Sequence, residues 1–243
     1  MLILAHRGAS ADFPENTIEA FEGAVAQGAD GVELDVMRCG SGEMVVCHDE
    51  QLERLAHRPW WVHATPWWKL KRADVGSALG FSPARIPRLE EVFEVLPAEL
   101  LVNVELKCET VDDLGLTEAV GQYVEEQRLH ERVLVSSFNP LCLMRLAARF
   151  PAIRRGQLID PDKSWLMQQL WAPFTARDAT HPHFSQVNDE RVRGWHGRGQ
   201  KVAVWTVDDD VEARRLRDLG VDMVITNRPA ELRNALDSAA RPG

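Results

Sequence analysis

An α/β protein of the (β/α)8 TIM-barrel class is what the sequence predicts, and three observations carry that expectation. Short apolar runs alternate with amphipathic stretches of helical length, the pattern of parallel βα units. The chain has 243 residues, close to the ~250 typical of such a barrel. Histidines and carboxylates fall where apolar runs stop, and barrel sites are assembled at the C-terminal ends of strands.

The runs that predict strands are residues 2–5, 31–36, 101–106, 133–136, 153–159, 201–206 and 222–225. One more strand is expected within the weak region 176–183. Residues 44–47 read as a further short strand, a hairpin partner across Gly40-Ser41-Gly42. Helical patterns lie at 17–27, 89–96, 111–127, 140–150, 163–171, 189–198, 209–219 and 229–238. Asn16 or Thr17 opens the first helix and Gly28 closes it, while Gly220 closes the helix at 209–219. Eight strands with following helices is the count a barrel needs. An open doubly wound sheet could be assembled from fewer, but its GxGxxG phosphate turn is missing. No Pro/Gly/Ser-rich linker divides the chain, so residues 1–243 are expected to form one domain rather than two. The alternation breaks at about 49–87, which holds Trp60, Trp61, Trp67 and Trp68, half of the eight tryptophans. This stretch is expected to be a small insertion after the second βα region, a lid over one mouth of the barrel.

With 28 basic and 37 acidic residues the formal net charge is −9, which repels a nucleic-acid backbone. An anionic ligand therefore needs a locally positive site. The apolar run in Met1-Leu2-Ile3-Leu4-Ala5-His6-Arg7-Gly8 is too short for a signal peptide and lacks a basic start, and no run approaches the ~20 residues of a membrane span. A cytoplasmic protein with no stable membrane insertion is expected. Cys39, Cys47, Cys108 and Cys142 form no CxxC pair and read as reduced thiols.

Glu33 and Asp35 lie two apart in Gly31-Val32-Glu33-Leu34-Asp35-Val36, so strand alternation sends both to one face. Glu105 and Lys107 share a face in the same way in Val104-Glu105-Leu106-Lys107. A single pair of this kind could simply cap a strand end in salt bridges. Two pairs at two strand ends point to a site, and the trio Glu33, Asp35 and Glu105 suits a hard divalent cation, Mg²⁺ or Ca²⁺. His6 and His48 each end an apolar run and could serve as general base and general acid. Arg7 and Lys107 supply positive charge suited to phosphate oxygens.

His6-Arg7-Gly8, Pro14-Glu15-Asn16-Thr17, Gly28-Ala29-Asp30-Gly31-Val32-Glu33-Leu34-Asp35-Val36, Val45-Val46-Cys47-His48-Asp49 and Asn103-Val104-Glu105-Leu106-Lys107 together resemble the glycerophosphodiester phosphodiesterase family. Ser136-Ser137-Phe138, Trp205-Thr206-Val207, Gly220-Val221-Asp222 and Ile225-Thr226-Asn227-Arg228-Pro229 extend the resemblance over nearly the whole chain, whose size is similar to the compact bacterial cytoplasmic form. The resemblance implies a barrel that uses one divalent cation to split glycerophosphodiesters into sn-glycerol 3-phosphate and an alcohol. It implies Glu33, Asp35 and Glu105 as metal ligands and His6 and His48 as the acid/base pair. Arg7 and Lys107 correspond to phosphate-binding residues, and Trp205 to an aromatic residue lining the substrate pocket. Two departures stand out: Arg38-Cys39-Gly40-Ser41-Gly42-Glu43 replaces a Thr-Lys-Asp-Gly type turn, and Asn227 stands where an aspartate is common. Neither is expected to touch the proposed site residues.

Pro14-Glu15-Asn16-Thr17 is read as a turn and helix cap, the lesser alternative being contact between Glu15 and a glycerol. The tryptophan-rich insertion is read first as packing of a small lid, then as a choline cage, and third as a membrane-surface contact. His181-Pro182-His183 spells the HxH of a zinc amidohydrolase but is expected at a surface or in a loop. Action on lysophospholipids, in the manner of a lysophospholipase D, and a noncatalytic phosphate-binding barrel are the other functional alternatives.

Overall fold

The computed structural model describes residues 1–108, 110–163, 175 and 178–238. Nine strands form one sheet: β1 (Leu2–His6), β2 (Gly31–Arg38), β3 (Met44–Val46), β4 (Leu101–Leu106), β5 (Val133–Ser137), β6 (Arg154–Ile159), β7 (Ala179–Pro182), β8 (Lys201–Val204) and β9 (Met223–Thr226). Every pairing is parallel except β2 with β3. Because β1 pairs with both β2 and β9, the sheet closes on itself. Eight parallel strands thus make a (β/α)8 barrel without edges, and β3 is the return arm of a hairpin on the extended end of β2.

Side chains of the strands divide between two apolar surroundings, which is why they read as continuous hydrophobic runs. Val32, Leu34, Val102, Val104, Val133 and Val135 point outward into a core shared with helices α1 (Ile18–Ala26), α4 (Leu89–Val95), α5 (Leu116–Glu126) and α6 (Pro140–Arg149). On the other side of the barrel, Ile3, Val202, Val204 and Val224 pack beneath α7 (Asp189–His196), α8 (Asp210–Asp218) and α9 (Pro229–Ser238). Leu4, Leu134, Ala179, Ala203, Met223 and Ile225 form a separate apolar cluster. Those residues alternate with the outward ones along their strands and fill the barrel interior.

The N-terminal mouth is held by a repeated device. Asp30, Asp178 and Asp222 each precede a strand and accept a backbone N–H from the strand beside it, at Ile3 (2.8 Å), Arg155 (2.8 Å) and Val202 (2.9 Å). Each carboxylate thereby ties together the starts of two neighbouring strands.

Residues 49–87 contain two short α-helices, α2 (Glu53–Ala56) and α3 (Trp67–Leu70), and two 3-10 turns at Val62–Ala64 and Ser77–Leu79. Leu52, Leu55, Val62, Leu70, Val75 and Ile86 share an apolar cluster with Met37, Cys39, Val45 and Cys47, so this stretch is rooted on the β2–β3 hairpin.

Several expectations need adjustment. Helix α5 starts at Leu116 rather than 111, because the Asp113 carboxylate accepts the N–H groups of Gly115 and Thr117 and Leu114 and Gly115 take left-handed backbone. His181 does not lie at a surface or in a loop: it sits within β7 with no exposed area. Most of the helix expected at 163–171 lies outside the described residues.

Candidate active site

The turn after β1 brings the first site residues together. Arg7 and Gly8 both adopt positive φ, 56° and 82°, which reverses the chain directly after His6. A non-glycine residue there needs outside support. The Arg7 N–H donates to Glu33 Oε2 (3.1 Å), and its carbonyl accepts from the N–H of Asn16 (2.8 Å). Glycine is required at position 8 because a Cβ would lie 2.6 Å from the backbone carbon of Ala20 in α1. Thr17 caps α1 by accepting the Ala20 N–H, as the sequence predicts.

Strand alternation delivers Glu33, Asp35 and Glu105 to a common point, where their carboxylate oxygens lie within 4.8 Å of one another. All three are buried. Arg7 Nε stands 3.2 Å from Asp35 Oδ2, and Lys107 Nζ lies 3.0 Å from Glu105 Oε1 and 3.8 Å from Asp35 Oδ1. Burial opposes ionisation of Asp35, but Arg7, Lys107 and the amide of Asn16 outweigh it and hold its pKa below the usual value. Glu33 has the opposite fate. Burial and the charges of Asp35 and Glu105 push its pKa well up, and burial with Asp35 also raises that of Glu105. Three buried carboxylates facing two cations leave an excess of negative charge.

The two histidines are held by different acceptors. His6 Nδ1 lies 2.8 Å from Asn227 Oδ1. Asn227 donates its Nδ2 to Asp208 (2.6 Å), which turns its oxygen toward His6 and the Ser10 hydroxyl. The network therefore assigns the proton to Nδ1 and leaves Nε2 as the acceptor, 3.9 Å from Glu33 Oε2. Burial and the nearby Arg7 lower the His6 pKa to about 4, so the ring is neutral at neutral pH. His48 Nδ1 lies 2.8 Å from Oδ1 of Asp49, its neighbour in the chain. Arg54 completes this side. Its guanidinium donates to both oxygens of Asp49 (2.7 and 2.9 Å) and both of Glu15 (2.9 and 2.8 Å), while Glu15 also accepts from Arg7 (2.9 Å).

A cavity of about 260 Å³ is lined by His6, Arg7, Glu33, His48, Glu105, Lys107 and Trp205, over a floor that includes Asn103, Leu158 and Ile225. Asp35, the eighth residue singled out in the sequence, lies behind this lining against Arg7 and Lys107. Trp205 is anchored by a 2.7 Å bond from its Nε1 to the His181 carbonyl and meets Phe138 edge-on, with ring centroids 5.5 Å apart. A wider cavity of about 520 Å³ shares the wall Glu105, Lys107 and Phe138 and continues past Thr110, Ser137, Asn139 and Asp160. No residue of 49–87 lines either cavity among the described residues.

Sequence reasoning missed two amides. Asn16, read only as part of a turn, donates its Nδ2 to Asp35 Oδ2 (2.8 Å) and accepts the Asp35 N–H (3.2 Å). Asn227 touches His6 directly, contrary to the expectation that it stays clear of the site residues. Glu15 lies in the turn before α1, and its oxygens pair with Arg7 and Arg54.

Comparison with known proteins points the same way. Residues 6–231 match the glycerophosphoryl diester phosphodiesterase family. A glycerophosphodiester phosphodiesterase of Caldanaerobacter subterraneus subsp. tengcongensis is 36% identical over 241 residues, covering 96% of each chain, and one of Bacillus altitudinis is 32% identical over 93% of this chain and 94% of its own. The structure of an Oleispira antarctica phosphodiesterase in complex with the product sn-glycerol-3-phosphate superposes with a TM-score of 0.84 at 32% identity, over 98% of this chain and 97% of that one. With a family match along the barrel and relatives of this identity over almost the entire length, the chain belongs to the glycerophosphoryl diester phosphodiesterase family, a family of enzymes.

Proposed function

We propose that this protein hydrolyses glycerophosphodiesters to sn-glycerol 3-phosphate and an alcohol, with one divalent cation held by Glu33, Asp35 and Glu105. The observation that carries the reading is the meeting of three buried carboxylates with two imidazoles and two fixed cations around one small cavity. Kinship with enzymes of that name supports it, as does the glycerol-phosphate product bound to the Oleispira relative.

The carboxylates suit such an ion. Burial first, and then the charge of the neighbouring carboxylates, raises the pKa values of Glu33 and Glu105 despite Arg7 and Lys107, and an all-oxygen donor set favours Mg²⁺ or Ca²⁺. When bound, the ion would act as a Lewis acid on the phosphoryl oxygens. Arg7 and Lys107 are positioned to meet the charge that grows on the phosphate in the transition state. His6 Nε2, neutral and unprotonated, accepts the proton of the attacking oxygen, from water or from the neighbouring glycerol hydroxyl. In the second case a cyclic phosphate forms, and attack of water in a further step breaks one ring phosphorus–oxygen bond to give sn-glycerol 3-phosphate. As the phosphorus–oxygen bond to the alcohol breaks, His48 supplies the proton that the departing oxygen takes up. Asn227 and Asp49 keep the two rings in place, and Trp205 covers the apolar side of the cavity. The wider cavity beyond Lys107 has room for the alcohol arm. In this reading one domain carries the whole site.

A direct test follows turnover of glycerophosphodiesters and of a lysophospholipid by phosphorus NMR. Wild type should release sn-glycerol 3-phosphate, and His6→Ala and His48→Ala should each lose roughly 10²- to 10⁴-fold in kcat. Full turnover in both variants would overturn the assignment, and binding of glycerol 3-phosphate with no diester cleaved would favour a noncatalytic barrel.

A further inference from the structure

The tryptophan-rich stretch carries more than its packing requires. In a chain with 37 acidic residues, positions 54–73 contain none between the exposed Glu53 and Asp74, and they hold five basic residues, two histidines and four tryptophans. The tryptophans come as two neighbouring pairs, and in each pair the two rings are treated differently. Trp60 and Trp67 pack against the apolar cluster on the β2–β3 hairpin. Lys69 Nζ lies 4.2 Å from the Trp60 ring and the Arg88 guanidinium 5.8 Å from that of Trp67. Trp61 and Trp68 are left 45% and 60% exposed. Arg58, Lys71 and Arg72 are exposed in the same stretch.

We propose that this stretch is a docking surface for an anionic lipid bilayer, with Trp61 and Trp68 seated among the headgroups and Arg58, Lys71 and Arg72 facing the lipid phosphates. Indole rings are favoured at that depth because they combine a large apolar body with a polar N–H. Basic side chains beside them gain from the negative surface potential of the leaflet. The chain's overall charge of −9 opposes general attraction to an anionic surface, so binding relies on this local group of basic side chains. An aromatic cage for a soluble cation fits less well, because Lys69 already lies over Trp60 and the stretch contributes no residue to the described cavities. Docking here reaches the site through Arg54, which lies at the start of the same stretch and grips Glu15 and Asp49. The attachment is peripheral. Among the described residues no helix is long and apolar enough to cross a membrane.

Co-sedimentation with vesicles tests the proposal without reference to turnover. The full chain should pellet with vesicles of phosphatidylcholine mixed with phosphatidylglycerol, should not pellet with phosphatidylcholine alone, and should be released by salt. Trp61→Ser with Trp68→Ser, and separately Lys71→Glu with Arg72→Glu, should weaken binding, by about fivefold for each basic residue lost. Both variants should keep wild-type melting temperature and turnover of a soluble diester, since none of these residues lines the cavity. Failure of wild type to bind the anionic vesicles at low salt, equal binding to both lipids, or unchanged binding by both variants would overturn it. So would a dimer in lipid-free solution that the tryptophan variant abolishes, found together with no vesicle binding, because the surface would then serve a second copy of the chain.

Discussion

Arg54 joins two parts of the site that the chain keeps far apart in sequence. One guanidinium holds Asp49, which holds His48, and also Glu15, which holds Arg7. Planar, bidentate pairing of this kind is what arginine supplies and lysine cannot. Arg54→Gln should therefore lower kcat by about 10- to 100-fold through misplacement of His48 and Arg7, with KM moving less and Arg54→Lys falling between. Steady-state kinetics of the three forms checks this, and equal kcat in all three would remove Arg54 from the positioning chain. At this scale the charged residues were legible in the sequence, since a histidine or carboxylate closing an apolar run stands out. Asn16 and Asn227 were not, because a neutral amide in a turn looks the same whether it serves the turn or a neighbour 19 residues away in Asp35.

Among the elements, the turn between β1 and α1 shows how backbone geometry serves the site. Gly8 and Gly28 have similar positive φ, +82° and +74°, yet a Cβ at position 8 would meet the Ala20 backbone at 2.6 Å, whereas nothing lies within 4 Å of one at position 28. Gly28→Ala should cost about 1–2 kcal/mol for the left-handed backbone alone. Gly8→Ala adds a clash with α1 and should cost on the order of 3 kcal/mol or more, with lower turnover because His6 and Arg7 flank the turn. Urea denaturation of both variants measures the difference, and equal costs would show that α1 yields easily. Valine-rich strands such as β2, β4 and β5 were readable because both faces are buried. β7 was only bracketed, since four residues reading Ala-Thr-His-Pro carry too little periodicity to mark their ends. The start of α5 was misplaced because side-chain bonds from Asp113 favour a turn over the first helical positions.

For the whole molecule, barrel closure buries polar groups that the sequence could not locate. His181 faces the barrel interior over Gly156, where a Cβ would lie 2.4 Å from its Nε2, and among the described residues neither ring nitrogen has a hydrogen-bond partner. Burial alone takes its pKa from 6.5 down to about 3. The folded state therefore keeps this ring neutral where the unfolded chain binds a proton, so the stability it costs appears as pH falls from about 6.5 toward 3. Between pH 7 and 4 wild type should lose more stability than His181→Gln, by on the order of a few kcal/mol. Parallel stability-versus-pH curves for the two proteins would show that the ring protonates freely in the folded state. The fold class was legible from alternation and length, whereas which residues the closed barrel encloses depends on register between strands distant in sequence.

Glu33, Asp35 and Glu105 are proposed to act together as a cation site for phosphodiester cleavage. The most direct measurement is release of sn-glycerol 3-phosphate from a glycerophosphodiester by chelated protein, followed by stepwise return of Mg²⁺ or Ca²⁺, for wild type and Asp35→Asn in parallel. The expected result is that chelation abolishes turnover, that one of the two ions restores it at one equivalent in wild type, and that Asp35→Asn recovers little at the same concentration. Turnover that survives exhaustive chelation, or recovery in Asp35→Asn equal to wild type, would rule out a cation site at these three carboxylates.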